Sequence, residues 1–242
     1  MEISLTGKKI LVTGATGAIG GAIAEAAREA GAWVAGSYFQ DDSKARELGK
    51  SGVLMLRADL SQRDQARGLV RQVLEQAGSL DALVYSAGNA QDRMLAKMTD
   101  SEWDAVLRLH LDGLAACCQA VLPGMQERRQ GKVIAIGSYA GLTGRIGQAN
   151  YSAAKAGTIG FVKSLAREAG RFGVTANVIC PGFIESKMTR SAPPEAWDRA
   201  KAASALGTVS SVEVAASFAT WLLSDLCFGV TGQVFQLDSR IL

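Results

Sequence analysis

The sequence predicts a single α/β domain built on a parallel sheet of about seven strands, with helices on both faces. Short apolar runs typical of buried strands alternate with helical segments along the 242 residues. A glycine-rich turn joins the first of these runs to an alanine-rich helix. No stretch rich in proline, serine or like charge divides the chain. Such alternation without a linker favours one doubly wound sheet, spanning residues 1–242, with right-handed crossovers.

The predicted strands are separated by segments with helical patterns. In chain order the strands are KKILVT, WVAGSYF, VLMLRAD, ALVYSAG, KVIAIGS, VTANVICPG and QVFQLD. Thr99 and Glu102 form a predicted capping box for a helix over residues 103–125. Ser210 and Glu213 suggest a second capping box before SSVEVAASFATWLLSD. The helix over 103–125 is apolar on more than one face, so a subunit interface is expected to bury its second face.

Composition narrows the class of partner. The net charge is only +3 and both signs are interspersed, which argues against nucleic acid or a membrane surface and favours small molecules or a carrier protein. No signal peptide is visible, and the apolar stretch LAACCQAVLPGM is too short to span a bilayer. The four cysteines show no zinc spacing, so no metal site is predicted. We expect a soluble cytoplasmic protein with free, buried thiols.

Three residues between positions 138 and 155 carry groups suited to carbonyl chemistry. Tyr151 and Lys155 are four residues apart in a predicted helix and therefore share one face. A nearby ammonium is expected to lower the pKa of the phenol and make Tyr151 a general acid or base. Ser138 ends a predicted buried strand, where ligands of open α/β sheets bind. Taken alone, this spacing is equally compatible with a surface Tyr/Lys pair and a turn serine.

The glycine-rich turn indicates a nucleotide site. TGATGAIG, residues 13–20, lies between a strand and a helix at the start of the chain. Glycines there allow close approach of a pyrophosphate, and the amide groups of the helix N-terminus face its charge.

Together these motifs resemble the short-chain dehydrogenase/reductase family. The likeness rests on residues 13–20, YSAG at 85–88, Ser138, Tyr151, Lys155 and the Pro-Gly pair at 181–182. GQANYSAAKAG and PGFIESKMT make the chain most similar to the 3-oxoacyl-[acyl-carrier-protein] reductase branch. The resemblance implies a Rossmann-type fold, a homotetramer, and a lid over the substrate at residues 183–210.

The resemblance also implies an activity. A 3-ketoacyl thioester, linked to acyl carrier protein or to coenzyme A, would accept hydride from NAD(P)H. Ser138 would polarise the carbonyl oxygen, Tyr151 would donate the proton, and Lys155 would bind the nicotinamide ribose as well as acting on Tyr151. The implied cofactor contacts are Gly14, Thr16, Gly17, Ala18, Ile19, Gly20, Tyr38, Asp59, Leu60, Ala87, Gly88, Tyr151, Lys155, Pro181, Gly182, Ile184 and Ser186. For Asp59 the alternative is a helix cap.

Several positions depart from the family pattern. Ala18 replaces the middle glycine of the phosphate loop, Tyr85 and Ser86 replace two asparagines, and Ser239 with Arg240 replaces a Gly-Gly pair. These changes keep alternatives open. One is a weakly active or inactive nucleotide-binding subunit that partners another reductase, and another is a reductase of a different ketone or alcohol.

The cofactor expectation is NADPH, with NADH as the alternative. An acidic residue after the second strand would repel a 2′-phosphate, but position 38 is tyrosine. Against NADPH, Gly17 stands where similar enzymes often carry arginine, and Asp41 and Asp42 are nearby.

Two further expectations concern single residues. Arg129 matches a position that similar reductases use to dock acyl carrier protein beside the active-site mouth, while the second such position is Phe172, next to Arg171. The alternative is that Arg129 belongs to a solvated helix end.

His110, the only histidine, replaces an asparagine that supports proton relay in similar enzymes. It is either a packed substitute or a neutral member of that relay, held neutral by burial near Lys155.

Overall fold

One parallel sheet forms the centre of the molecule. The structure is a computed structural model that describes residues 3–184, 189 and 193–240. Within these residues, seven strands pair in the order β3-β2-β1-β4-β5-β6-β7. They are β1 (Lys9–Thr13), β2 (Trp33–Tyr38), β3 (Leu54–Arg57), β4 (Ala82–Tyr85), β5 (Gly131–Ile136), β6 (Val174–Pro181) and β7 (Val234–Leu237). Every predicted strand is present in the predicted order, which confirms the doubly wound α/β fold.

Helices cover both faces of the sheet. They are α1 (Ala18–Glu29), α2 (Asp42–Lys50), α3 (Arg63–Ala77), α4 (Asp100–Leu107), α5 (Gly113–Glu127), α6 (Ala140–Thr143), α7 (Ala149–Ala169), α8 (Pro194–Ala202) and α9 (Val212–Leu223). One face buries side chains of α1 and α9 against the sheet, and the other buries side chains of α3, α5 and α7. The sheet is therefore buried on both sides, as its nearly continuous apolar strands require.

The region predicted as one helix over 103–125 contains a break in hydrogen-bond pattern. The capping box at Thr99 and Glu102 is confirmed. Between α4 and α5, however, Arg108–Asp112 form a π-helical turn. Such turns hold one residue more than an α-helical turn and occur often at functional sites. The expectation of an uninterrupted α-helix was wrong at His110, which lies within this turn.

The same region is both long and apolar. Asp100–Glu127 is long and apolar enough to cross a membrane by length and composition alone, with a mean hydropathy of 1.4 over its most apolar window. This is weak evidence for a span, because the core helix of a soluble protein passes the same test. Leu114, Cys117, Val121 and Met125 of α5 pack into the main hydrophobic cluster on one face of the sheet.

The second predicted capping box is wrong. The residue that precedes α9 is Ser211, and its side chain makes no capping hydrogen bond. Ser210 instead donates from Oγ to the carbonyl of Leu237, 3.0 Å away. The prediction for the thiols is confirmed, since all four cysteines are free and buried.

The order of the strands in the sheet indicates where a crevice lies. From β1 the chain first adds β2 and β3 on one side, and then returns to place β4 on the other side of β1. The loops that follow β1 and β4 therefore leave the sheet in opposite directions, which is where ligands bind in doubly wound folds.

Candidate active site

The loops after β1 and β4 touch through their backbones. Gly14 has a φ of +64°, and a Cβ atom there would lie 2.7 Å from the Cα of Ala87. A Cβ on Gly20 would lie 2.4 Å from the carbonyl oxygen of Gly14. Side chains at these two positions would push the loops apart, so glycine is needed to form the crevice between them.

The N-terminus of α1 opens into this crevice with its first-turn amides free of a side-chain cap. Gly17 precedes the helix and makes no capping hydrogen bond, and Ala18 is the first helical residue. The side chain of Ala18 is exposed, so its methyl group does not crowd the turn itself. Together with Thr16 and Ile19, this end of α1 has the form of an anion site for a pyrophosphate.

The residues after β4 are held by hydrogen bonds that the sequence did not reveal. Thr13 Oγ1 accepts from the amides of Ser86 and Ala87, at 3.1 and 3.2 Å. Tyr85 is buried and its hydroxyl donates to the carbonyl of Leu109, 2.6 Å away, in the π turn. Burial raises the pKa of Tyr85 well above its ordinary value, so the phenol keeps the proton it donates. The tyrosine that replaces a family asparagine thus anchors the turn that carries His110.

The predicted adenosine contacts lie at the ends of β2 and β3. Tyr38 pairs with Arg57 in the register of the two strands. Asp59 accepts from the amide and the hydroxyl of Ser61, at 3.0 and 2.7 Å, and Leu60 is buried. Asp59 therefore caps a turn and not α3, which begins after Gln62, and the helix-cap alternative is wrong.

Ser138, Tyr151 and Lys155 converge at the carboxyl ends of β5 and β6. Ser138 lies two residues beyond β5, and its hydroxyl is close enough to Tyr151 to favour a lower pKa of the phenol. Lys155 is buried one helical turn after Tyr151. Its Nζ lies 5.6 Å from the centroid of the Tyr151 ring and donates to the carbonyl of Ile136, the last residue of β5, at 2.6 Å.

The pKa of Tyr151 corrects one sequence-based expectation. Burial raises the pKa of the phenol because the phenolate loses solvation, and the nearby Ser138 hydroxyl only partly opposes this effect. The expected net lowering of the Tyr151 pKa was therefore wrong, because the effect of burial outweighs the groups that lower it. A phenol that stays protonated at neutral pH is suited to donate a proton.

The pKa of Lys155 is also shifted from its ordinary value. Burial lowers the pKa of its ammonium to about 8. The lysine is therefore charged at neutral pH and loses its charge only slightly above it.

His110 packs directly against this group. Its ring meets the Tyr151 ring edge to face, with centroids 5.4 Å apart, and its Nε2 lies 2.8 Å from the carbonyl oxygen of Asn89. A Cβ on Gly88 would lie 2.4 Å from the ring, so glycine at position 88 makes room for the histidine. Burial, and then the charge of Lys155, lower the pKa of His110 to about 3. The imidazole is neutral, as the relay interpretation of this residue expects.

The remaining predicted contacts lie after β6. Pro181 ends the strand, and a Cβ on Gly182 would lie 2.3 Å from the Cβ of Asp238, at the end of β7. Ile184 is buried. Ser186 falls outside the residues that the structure describes. Of the predicted lid, Phe183 stacks edge to face on Trp197 of α8.

Comparisons with known proteins identify this architecture. The family model described as enoyl-(acyl carrier protein) reductase matches residues 14–239. A 3-oxoacyl-[acyl-carrier-protein] reductase of Vibrio cholerae is 36% identical over 239 residues, 98% of each chain. The chain belongs to the short-chain dehydrogenase/reductase family. It is therefore an oxidoreductase of a family that uses a nicotinamide cofactor.

Other relatives cover nearly the whole chain as well. An acetoacetyl-CoA reductase of Shinella zoogloeoides is 37% identical over 230 residues, 94% of this chain and 95% of its own. The crystal structure of gox2181 shares the fold with a TM-score of 0.91 at 32% identity, covering 98% of this chain and 96% of its own.

In this short-chain dehydrogenase/reductase, Arg129 does not lie beside the candidate site of its own chain. It follows α5 and precedes β5, with a φ of +53°, whereas Ser138 follows the other end of β5. Ser138 lies nine positions further along a mostly extended chain, which corresponds to roughly 25 to 30 Å. Arg129 donates to the carbonyl of Arg171, and Arg171 stacks on Phe172. The expected position beside the active-site mouth was wrong for a single chain.

Two arginines near the candidate site were missed by sequence reasoning. Arg57 ends β3 beside the tip of β2. Arg240 lies over the ring of Tyr139, the neighbour of Ser138. Neither belongs to a motif, because each reaches the site through a contact with a residue distant in sequence. The only available signal was the departure from Gly-Gly at Ser239 and Arg240.

Proposed function

We propose that this protein is an NADPH-dependent reductase of 3-ketoacyl thioesters linked to acyl carrier protein or coenzyme A. The observation that carries the proposal is the convergence of Ser138, Tyr151 and Lys155 next to a glycine-lined crevice. The relatives support the substrate class, since they include reductases of 3-oxoacyl-[acyl-carrier-protein] and of acetoacetyl-CoA.

The crevice fits a dinucleotide. A Cβ on Gly14 would intrude on the backbone of Ala87, and one on Gly20 would intrude on the backbone of Gly14. The start of α1 has amide groups for a pyrophosphate. When bound, a reduced nicotinamide supplies the hydride for the carbonyl carbon. Lys155, Pro181, Gly182, Ile184 and Ser186 are proposed to hold its nicotinamide riboside half.

Side chains of this protein are proposed to bind and protonate the oxygen of the ketone. Ser138 donates a hydrogen bond to that oxygen, which stabilises the negative charge that grows during reduction. Tyr151, protonated because its pKa is raised, delivers its proton to the same oxygen and completes the alcohol. The charge of Lys155 stabilises the phenolate left behind until solvent returns a proton.

Arg57 supports NADPH as the cofactor. Its Nε donates to the carbonyl of Phe39 at 3.0 Å, and its guanidinium lies 5.9 Å from the Phe39 ring. The terminal amino groups of the side chain are thus held at the tip of β2, where a ribose 2′-phosphate binds in this kind of fold. Asp41 does not compete for this cation, because it caps α2 by accepting from the amide of Lys44 at 3.0 Å.

The activity test is direct. Purified protein is mixed with NADPH and acetoacetyl-CoA while the absorbance of the reduced nicotinamide is followed. Turnover supports the reductase. Tight binding of NADPH without turnover on any thioester or simple ketone would instead indicate the non-catalytic nucleotide-binding subunit.

The cofactor test needs no turnover. Replacing Arg57 by Gln should weaken binding of 2′,5′-ADP about tenfold, the loss expected for one charged hydrogen bond to phosphate. Binding of 5′-AMP should not change. Arg63→Gln removes an exposed arginine paired with Asp112 and serves as the matched control. Equal weakening of both nucleotides would remove Arg57 from 2′-phosphate recognition.

Carrier docking at Arg129 requires a second subunit. Because Arg129 lies at the opposite end of β5 from Ser138, it can serve only the site of a neighbouring copy, as in the homotetramer that we also propose. Arg129→Glu should then raise KM for a carrier-bound substrate and leave KM for a small thioester near wild type. The control is Arg108→Glu, which changes an exposed arginine elsewhere. A monomer by light scattering would contradict this docking mode.

A further inference from the structure

The segment that follows β7 connects the proposed lid to the sheet. The carbonyl of Ser239 accepts from the amide of Ala205 at 2.9 Å, just beyond α8. The hydroxyls of Ser204 and Ser239 are hydrogen-bonded to each other, and Ser204 also pairs with Arg240 in an antiparallel bridge. Residues 237–240 are therefore hydrogen-bonded to the described part of the proposed lid.

Arg240 extends this connection to the loop that carries Ser138. The centre of its guanidinium lies 3.8 Å from the centroid of the Tyr139 ring. Asp238 forms an ion pair with the same guanidinium. The two charged side chains are only 16% and 7% exposed, so the pair is largely shielded from water and its geometry is restrained.

Asp238 is in turn fixed from two sides. It accepts from Nε2 of Gln236 at 2.8 Å and from the backbone amide of Arg240 at 3.2 Å. The carboxylate therefore holds the guanidinium over the Tyr139 ring, an arrangement that favours a cation–π contact.

Tyr139 is part of the turn that sets the position of Ser138. Its carbonyl accepts from the amides of Leu142 and Thr143, at 3.0 and 3.1 Å. Ser138 Oγ accepts from the amide of Ala140 at 3.2 Å. A displaced Tyr139 ring would therefore shift the adjacent backbone, and with it the hydroxyl of Ser138.

We propose that Arg240 is a positioning residue for Ser138: held by Asp238 and stacked on Tyr139, it fixes the serine loop relative to the proposed lid. This inference rests on the proposed reductase function for its kinetic consequences. A misplaced serine loses most of its effect on the transition state, since small displacements of a catalytic group are costly.

The kinetic experiment compares Arg240→Met with wild type. We expect kcat to fall about tenfold with little change in KM for NADPH, a part of the ~10²-fold loss that a displacement near 1 Å can cause. Tyr139→Leu should reproduce this effect, and Tyr139→Phe, which keeps the ring, should remain near wild type. Arg108→Met, which removes the partner of the surface residue Asp104, is the control for loss of an ion pair.

A double mutant separates positioning from general stability. In a Ser138→Ala background, Arg240→Met should lower kcat no further, because the serine through which it acts is absent. An undiminished tenfold loss in that background would overturn the proposal, as would unchanged kcat in Arg240→Met accompanied only by a lower melting temperature.

Hydrogen exchange gives a readout independent of turnover. The amides of residues 140–144 should exchange faster in Arg240→Met than in wild type or Arg108→Met. If wild type reduces no thioester, the proposed function fails while this measurement still decides the inference. Unchanged exchange in the 140–144 segment would overturn it.

Discussion

A lysine ammonium lies at each end of β5, that of the half-buried Lys132 at one end and that of the buried Lys155 at the other, and the two lysines are used differently. At the amino end, Lys132 Nζ donates to the carbonyls of Leu222, Ser224 and Cys227, at 2.9, 2.7 and 2.9 Å. At the carboxyl end, Lys155 Nζ donates to one carbonyl among the described residues, that of Ile136. Burial lowers the pKa of both ammonium groups.

The difference lies in how many donors remain. An ammonium has three donors, and Lys132 uses all of them to hold the end of α9 and the chain that follows it. Lys155 keeps donors for a ligand and stays next to a phenol. A lysine with every donor used by the protein stabilises the fold, whereas one with donors left over is available for chemistry.

The largest expected effect tests whether catalysis takes place at the carboxyl end of β5. Tyr151→Phe keeps the ring and removes the proton, so kcat for thioester reduction should fall ~10² to 10⁴-fold, the usual worth of general acid catalysis. Binding of NADPH, measured by fluorescence titration, should remain. Turnover near wild type would exclude Tyr151 from the mechanism.

Replacing each lysine by methionine in turn is the most direct test of the distinction between Lys132 and Lys155. Lys155→Met should lower kcat ~10²-fold, typical for loss of one electrostatic stabiliser, while the melting temperature changes little. Lys132→Met should leave kcat near wild type but lower the free energy of unfolding by roughly 2 to 3 kcal/mol, because carbonyls lose charged donors. Kinetics and thermal unfolding of both variants, measured together, check this. The same profile in both variants would refute the distinction.

The pH dependence of the reduction rate tests the role of the Lys155 charge. Since the pKa of Lys155 is about 8, its charge is present below that pH and is lost as the pH rises through it. Tyr151, with a raised pKa, stays protonated over this range. The rate of reduction should therefore decline above pH ~8. Lys155→Arg, whose guanidinium stays charged, should lack that decline, and an identical alkaline limb in both proteins would assign it to another group.

The smallest expected effect concerns His110. With a pKa of about 3, its protonation lies below any practical assay range. His110→Asn should give a pH profile of kcat that superimposes on wild type between about pH 5 and about pH 8. An acidic limb that is present in wild type and shifts in the variant would instead place the ring in the proton relay.

Local patterns predicted the strands and the catalytic helix, because each depends on residues close in sequence. The spacing of Tyr151 and Lys155 predicted a shared helical face, but not the depth of burial that raises the pKa of the phenol. Nothing in RLHLD, residues 108–112, indicates a π turn, and the hydrogen bond from Tyr85 to the carbonyl of Leu109 joins residues distant in sequence. The contacts of Arg57 with Phe39 and of Arg240 with Tyr139 likewise exist only after folding.

The π turn also lets α4 and α5 keep a common orientation across one extra residue. One residue of a regular α-helix corresponds to a rotation of about 100°, and the wider π turn takes up the additional residue without passing that rotation to the flanking helices. Deleting a single residue from Arg108–Asp112 would therefore restore a regular helix and leave Val106 and Cys117 facing the core in which they are now buried. The change would instead fall on the turn itself, at the Leu109 carbonyl that accepts from Tyr85 and at the position of His110. The extra residue thus determines what this turn presents to the active site, and not how the two helices pack.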